Sequence, residues 1–191
     1  LDTERYEAYM KHAFIIDRHK GTNIALMASG SMHMLDAGYG HKTYDVNEKN
    51  VYASLVFETN FTKMHNLSAG LSLNHDYLGQ TVRMVNDKEV SPVRMNEKET
   101  VPGIYAQYTF NLDHRLTAMA GIRADHSSVY GTFVTPRLHL KYMPTDILTL
   151  RLSAGKGYRT PHALAENNYL LASGRRLVID DLEQEEAWNY G

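Results

Sequence analysis

Most of the chain alternates between apolar and polar residues with a period of two. In residues 148–155 the three leucines and the alanine point to one side, and Thr149, Arg151, Ser153 and Gly155 point to the other. The same alternation occupies residues 67–77, 116–126 and 134–142, and weaker versions occupy residues 5–16, 23–34, 51–61 and 101–112. Alternation of this kind is typical of β-strands with two unlike faces. The pattern predicts an all-β, antiparallel chain of roughly eight strands.

The connections between these strands differ in length in a regular way. Short connections are predicted at 17–23, 62–66, 111–114 and 144–146. Between them we expect long loops at 36–50, 80–99 and 157–186, and a brief joint at 127–131. In an up-and-down meander all the short connections then lie at one end. This is the layout of a transmembrane β-barrel, with short periplasmic turns and long extracellular loops.

The residues on the apolar sides indicate what those sides contact. They are mainly Leu and Ala, whereas the core of a β-sandwich normally interlocks larger side chains. Eleven residues at about 3.3 Å each, tilted by about 45°, span roughly the apolar band of an outer membrane. Tyrosines near strand ends fit an aromatic girdle, although tyrosine also favours strands in general. These tyrosines are Tyr52, Tyr77, Tyr108, Tyr130, Tyr142 and Tyr158.

Composition narrows the classes of protein further. The formal net charge is −2, which gives no reason to expect a nucleic-acid partner. The absence of cysteine excludes disulfides, thiolate metal sites and cysteine nucleophiles. The mean hydropathy of −0.43 still agrees with a barrel, because lipid-facing and lumen-facing residues average out. The opening residues, LDTERYEAYM, do not read as a signal peptide.

The strongest local pattern is the run TPRLHLKYMPTDILTLRLSAGKGYRTPHALAENNYLLASGRR at residues 135–176. It resembles the barrel of TonB-dependent outer-membrane receptors, closest to Bacteroidetes members, in which a proline turn precedes a strand ending in Gly-aromatic-Arg-x-Pro. The resemblance runs from about residue 50 to the end and is weaker before. It implies a 22-stranded barrel closed by a plug domain. Residues 1–191 would then be one partial β-barrel domain of eight to nine strands, with neither plug nor signal peptide.

The resemblance also implies a function and a set of partners. We expect an energy-coupled receptor in the bacterial outer membrane that imports a scarce, bulky nutrient such as a ferric siderophore, a corrinoid or, less readily, haem. Its partners would be that small-molecule cargo, the lipid bilayer, the plug domain and the TonB complex. A soluble all-β adhesion or carbohydrate-binding domain is the alternative, and an outer-membrane barrel enzyme is a further one.

The Gly-aromatic-Arg-x-Pro box supplies the candidate site residues. We expect it to form a structural contact at the barrel rim through Gly155, Gly157, Tyr158, Arg159 and Pro161. The glycines would let the strand bend, Pro161 would end the pairing, Tyr158 would anchor at the outer interface and Arg159 would turn inward. The same residues also read simply as a strand terminator. Candidate ligand-binding residues at this rim are Tyr158, Arg159, His162 and Asn168.

Other chemically suggestive residues favour ordinary structural roles. Met32, His33 and Met34 are soft-metal ligands by type, but on a strand His33 faces away from both methionines. The acids Glu183, Glu185 and Glu186 match no common metal loop and fit a solvated loop end. We therefore expect neither a metal site nor a cofactor.

An enzyme would need a cluster of catalytic groups at one rim. The neighbouring pairs His75–Asp76 and Asp125–His126 offer the residue types, but adjacent strand residues face opposite sides. No nucleophile elbow is present. We expect no catalytic residues.

Overall fold

The computed structural model describes residues 1–85, 91–113, 115–173 and 182–191. Nine antiparallel strands form one sheet in the order of the sequence. They are β1 (Asp2–Asp17), β2 (Thr22–Tyr39), β3 (Lys42–Thr62), β4 (His65–Met84), β5 (Val93–Leu112), β6 (Leu116–Ser127), β7 (Gly131–Thr145), β8 (Leu148–Arg159) and β9 (Glu185–Tyr190). Between β8 and β9 lie a short helix, α1 (Ala163–Glu166), and a 3₁₀ turn (Asn168–Ala172). The predicted all-β meander is confirmed.

No helix within the described ranges is long and apolar enough to cross a membrane.

The strand register brings the predicted apolar residues together on one face of the sheet. Leu55, Leu71, Ile104, Ala124 and Val134 form one row across β3 to β7. Leu71 is 53% exposed and Ile104 is 57% exposed. We call this side the apolar face and the opposite side the polar face. Since its large side chains are exposed, the apolar face of the described residues is not sealed by a second layer of protein.

Aromatic residues mark the height of the apolar face. Tyr108 lies beside Leu67 near the short-connection end, and Tyr77 lies further along β4 towards the other end. The ten residue-to-residue steps from Leu67 to Tyr77 correspond to about 23 Å along the membrane normal for a strand tilted by about 45°. Level with Tyr77, its ladder partners on this face are Lys49 and Lys98. The apolar band therefore has the height of an outer-membrane hydrocarbon layer.

Half of the tyrosines expected in the girdle face the wrong way. Tyr77, Tyr108 and Tyr142 lie on the apolar face, as predicted. Tyr52 pairs with Asn74 on the polar face, and Tyr130 and Tyr158 border polar-face cavities. For Tyr52 the strand period decides the outcome, since it is an odd number of residues from Leu55.

Two of the predicted long loops are mostly strand. In residues 36–50 the strands β2 and β3 continue to a tight turn at Gly40–His41, where Gly40 has φ +61°. In residues 80–99 the strand β4 runs to Met84 and β5 begins at Val93, while residues 86–90 lie outside the described residues. These hairpins are polar on one side and bury Tyr44 and Val46 on the other. Their strong polarity hid the alternation.

The remaining connections agree better with the prediction. The turns at 17–23, 62–66, 127–131 and 144–146 are short, as expected. The connection at 111–114 is also short, but His114 lies outside the described residues. The long loop at 157–186 is present, except that β8 extends to Arg159 and β9 begins at Glu185. Residues 174–181 of this loop lie outside the described residues.

Candidate functional site

A segment of the long β8–β9 loop folds back over the polar face of the sheet. We call residues 160–173 the strap. Leu164 and Leu171, which are 4% and 8% exposed, pack with Tyr44, Val46 and Leu78 of the protruding ends of β3 and β4. Because this is the buried apolar cluster of the described residues, the strap is part of the folded structure at this end of the sheet.

Hydrogen bonds fix the far end of the strap to the β2–β3 hairpin. The Tyr39 hydroxyl donates to Asn168 Oδ1 at 2.9 Å, and Lys42 Nζ donates to the Ser173 carbonyl oxygen at 2.9 Å. Asn168 Nδ2 donates in turn to the carbonyl oxygen of Ala165 at 3.0 Å. The amide of Asn168, a candidate ligand-binding group from the sequence, is thus engaged in holding the strap.

Glu97 links the near end of the strap to the buried cluster. Its Oε2 lies 2.8 Å from His162 Nδ1, and its Oε1 accepts a hydrogen bond from Gln80 Nε2 at 3.0 Å. Gln80 Oε1 accepts a hydrogen bond from the Tyr44 hydroxyl at 2.6 Å. Burial raises the pKa of Tyr44, in the hairpin beyond the apolar band, to about 12. The phenol therefore stays protonated and remains a donor at neutral pH.

Glu99, two residues further along β5, forms the second link. Its carboxylate accepts hydrogen bonds from Thr160 Oγ1 at 2.9 Å and from Ser127 Oγ at 2.5 Å. Asp76 lies opposite Glu99 in the ladder and accepts hydrogen bonds from the amides of Asn50 and Asn74. Each of the three carboxylates is therefore oriented by two donors.

The strap and the polar face border two open cavities. The larger has a volume of about 620 Å³. Its polar lining comes from Asp76, Asn96, Glu97, Lys98, Glu99, Tyr130, Thr160 and His162, and Leu78, Val129, Pro161 and Leu182 add apolar surface. The smaller, of about 300 Å³, is bordered by Arg123, Asp125, Phe133 and Tyr158. Sequence reasoning missed Glu97 and Glu99. The signal was their spacing of two residues, which puts both on one face of a strand.

The residues of the Gly-aromatic-Arg-x-Pro box have varied surroundings. The Tyr158 ring packs on Phe133 with 4.6 Å between ring centres, instead of anchoring at the membrane surface as expected. Arg159 turns to Glu166 of the strap and to Glu185 at the start of β9, and this guanidinium lowers the pKa of Glu166. A Cβ at Gly157 would meet nothing within 4 Å, and neither box glycine has a positive φ.

The residues that suggested metal or enzyme chemistry remain apart. His33 lies near Glu48 and Thr3, on the opposite face from Met32. Within the described ranges no three ligating side chains gather into a metal-binding group.

The two candidate catalytic pairs do not form dyads. Asp125 bonds to Arg123, while His126 Nδ1 lies 2.8 Å from Thr132 Oγ1. His75 Nδ1 lies 2.8 Å from Thr100 Oγ1, and Asp76 faces the other side of the sheet.

Comparison with known proteins identifies what this fold resembles. Residues 14–191 match the family model described as TonB dependent receptor-like, beta-barrel. No curated protein sequence matches the chain.

Three solved structures with the same fold are receptors by name. The alcaligin outer-membrane receptor FauA from Bordetella pertussis matches with a TM-score of 0.67 and 15% identity, over 84% of this chain and 30% of that one. The siderophore receptor PirA from Acinetobacter baumannii matches with a TM-score of 0.62 and 14% identity, over 83% of this chain and 26% of that one. The ferric yersiniabactin uptake receptor FyuA from Yersinia pestis matches with a TM-score of 0.60 and 15% identity, over 98% of this chain and 33% of that one. The chain thus spans about a quarter to a third of their length, and at these identities the likeness shows the fold.

Proposed function

The chain belongs to the TonB dependent receptor-like β-barrel family, and on that premise we propose that it supplies wall strands and a cargo-facing loop to a receptor for a scarce, bulky nutrient. Membership of the family makes it a protein of the bacterial outer membrane. Uptake would be driven through TonB and gated by a plug domain. The cargo would be a metal chelate such as a ferric siderophore, or a corrinoid. The siderophore receptor PirA and the ferric yersiniabactin uptake receptor FyuA, which have the same fold, support the first of these.

The cavity of about 620 Å³ under the strap is the observation that carries this proposal. Its volume is in the range of small-molecule sites, and it combines apolar walls with a few oriented polar groups. It also lies on the polar face, which lines the lumen of a membrane barrel. A cargo entering from the long-connection end would meet this cavity first.

The four candidate ligand-binding residues divide into two roles in this proposal. Tyr158 and His162 border the cavities, so we assign them to cargo contact. Arg159 and Asn168 bond to other residues of the loop or hairpin, so we assign them to positioning the strap. We propose no catalytic role for any residue of the chain.

Transport by the full-length protein tests the proposed function. A strain lacking the gene should lose growth or uptake with at least one ferric siderophore or corrinoid as the sole source. Unchanged uptake of every such source would overturn the proposal.

A single substitution then tests the cavity. His162→Ala in the full-length protein should weaken cargo binding by about two- to tenfold, the usual effect of losing one hydrogen-bonding group. His139→Ala is the matched control, because His139 pairs with Met119 and Ser153 towards the opposite end of the polar face. Protease resistance of the strap, measured in parallel, shows whether the variant remains folded there. Equal cargo affinity in both variants with an intact strap would remove His162 from the site.

A further inference from the structure

We propose that the apolar face binds the phosphorylated headgroup of an outer-leaflet lipid at a basic strip formed by Lys49, Tyr77 and Lys98. The strip runs across three strands, since Lys49 pairs with Tyr77 and Tyr77 pairs with Lys98. By strand alternation its side chains project from the side of the sheet opposite the strap, although Lys98 also borders the larger cavity. The strip can therefore be tested without any knowledge of the cargo.

The orientation of Tyr77 places the strip at the edge of the apolar band. The Tyr77 ring covers Gly79, where a Cβ would lie 2.9 Å from the tyrosine oxygen. The hydroxyl donates to Asn96 Oδ1 at 3.3 Å, and Asn96 is the ladder partner of Gly79 beyond the band. The ring therefore faces the hydrocarbon while the hydroxyl points towards water, which is how tyrosine sits at membrane surfaces. Because this edge is at the long-connection end, the leaflet is the outer one.

The two lysines supply positive charge that no described carboxylate neutralises. Both are exposed, and neither forms an ion pair with a described residue; Lys98 Nζ lies 5.7 Å from the centre of the Tyr77 ring. Two strand spacings separate them, about 10 Å. The exposed Arg94 follows further along β5 on the same face, whereas Asp45 is paired with Arg83. A phosphate group between the lysines would meet a cation on either side.

An apolar groove on the same face fits the remainder of such a lipid. Its volume is about 570 Å³, and it is lined by Leu55, Phe57, Leu71, Ile104, Ile122 and Val134 among others. Leu55 lies six residues from Lys49 along β3, which corresponds to a depth of about 14 Å below the strip. An acyl chain hanging from a headgroup at the strip would reach this groove. A phosphorylated lipid would contact both the basic strip and the apolar groove, whereas inorganic phosphate would contact only the strip.

Lipid retention by the full-length protein tests this proposal. The protein would be placed in nanodiscs with a trace of a phosphorylated lipid or of an uncharged lipid with the same acyl chains, and bound lipid would be counted by native mass spectrometry. The variant is Lys49→Gln with Lys98→Gln. The matched control is Lys11→Gln with Lys141→Gln, two lysines of the polar face.

The two variants should behave differently. We expect the phosphorylated lipid to bind about thirtyfold more weakly to the strip variant, since each lysine near an anionic surface contributes about a fivefold factor. The control variant should bind it like the original protein, and added inorganic phosphate should not displace it. Three results would overturn the proposal: an equal loss of the phosphorylated lipid in both variants, retention of the uncharged lipid by the original protein as strongly as the phosphorylated one, or displacement by inorganic phosphate.

Discussion

Arg123 and Asp125 lie two residues apart on β6 and bind each other on the polar face, with Nε–Oδ2 and Nη2–Oδ1 distances of 2.6 and 2.5 Å. Arg123 Nη2 also donates to Ser72 Oγ at 2.6 Å, and Asp125 is only 6% exposed. Space for this pair comes from Gly103, the ladder partner of Asp125, where a Cβ would overlap Asp125 Oδ1 and crowd Arg123. Because Gly103 has no side chain, the Arg123–Asp125 ion pair can pack directly against the backbone of β5.

Filling that space should destabilise the barrel wall. We expect Gly103→Ala to cost about 1–3 kcal/mol, because the added methyl group must push aside two tightly bonded side chains. Gly157→Ala is the control, since nothing lies within 4 Å of its Cβ position. Thermal unfolding of the full-length protein in detergent should show a lower Tm for the first variant alone. A Gly103→Ala protein as stable as the Gly157→Ala protein would refute the close packing.

The ion pair itself should show strong coupling. Arg123→Ala leaves a buried carboxylate without its cation, a change that typically costs about 3–5 kcal/mol. The double variant Arg123→Ala, Asp125→Ala should be more stable than Arg123→Ala alone, because it removes the stranded charge. A double-mutant cycle by chemical unfolding measures this. Purely additive effects would contradict the arrangement.

The two buried leucines of the strap should carry its stability. Leu171→Ala should reduce the free energy of local opening of the strap by about 2–5 kcal/mol, since Leu171 lies in the apolar cluster. Leu170→Ala, at the neighbouring position that is 41% exposed, should have a much smaller effect. Hydrogen exchange of the strap amides distinguishes the two. Equally fast exchange in both variants would show that the strap is not anchored through Leu171.

The sequence predicted which residues share a face of the sheet better than it predicted where the strands end. Leu71 and Ile122, from the alternating stretches 67–77 and 116–126, lie on the expected apolar face. A period of two is a local property of the chain and can be read from a single sequence. The hairpin around Tyr44 was taken for a loop, since its strands leave the membrane band and only one side is covered. What covers it is the strap, more than a hundred residues later, and no local pattern reveals that contact.

The sequence predicted the part of the candidate site that comes from the box and the strap, but not the part that comes from β5. The box drew attention to Tyr158 and His162, which do border the cavities. Glu97, which bonds to His162, and Glu99, which bonds to Thr160, lie in a segment interpreted as a polar loop. Only the register of β4 and β5 brings these carboxylates to the strap. Pairing between distant segments is the information that a single sequence lacks.

The central claim is that the apolar face of this sheet contacts lipid, and adjacent cysteines test it most directly. The chain has no cysteine of its own, so a fluorophore can be attached at Ile122→Cys or at Gly121→Cys of the full-length protein in membranes. Lipids brominated on their acyl chains should quench the label at Ile122 strongly and the label at Gly121 weakly. Weak quenching at Ile122, or equal quenching at both positions, would contradict the account.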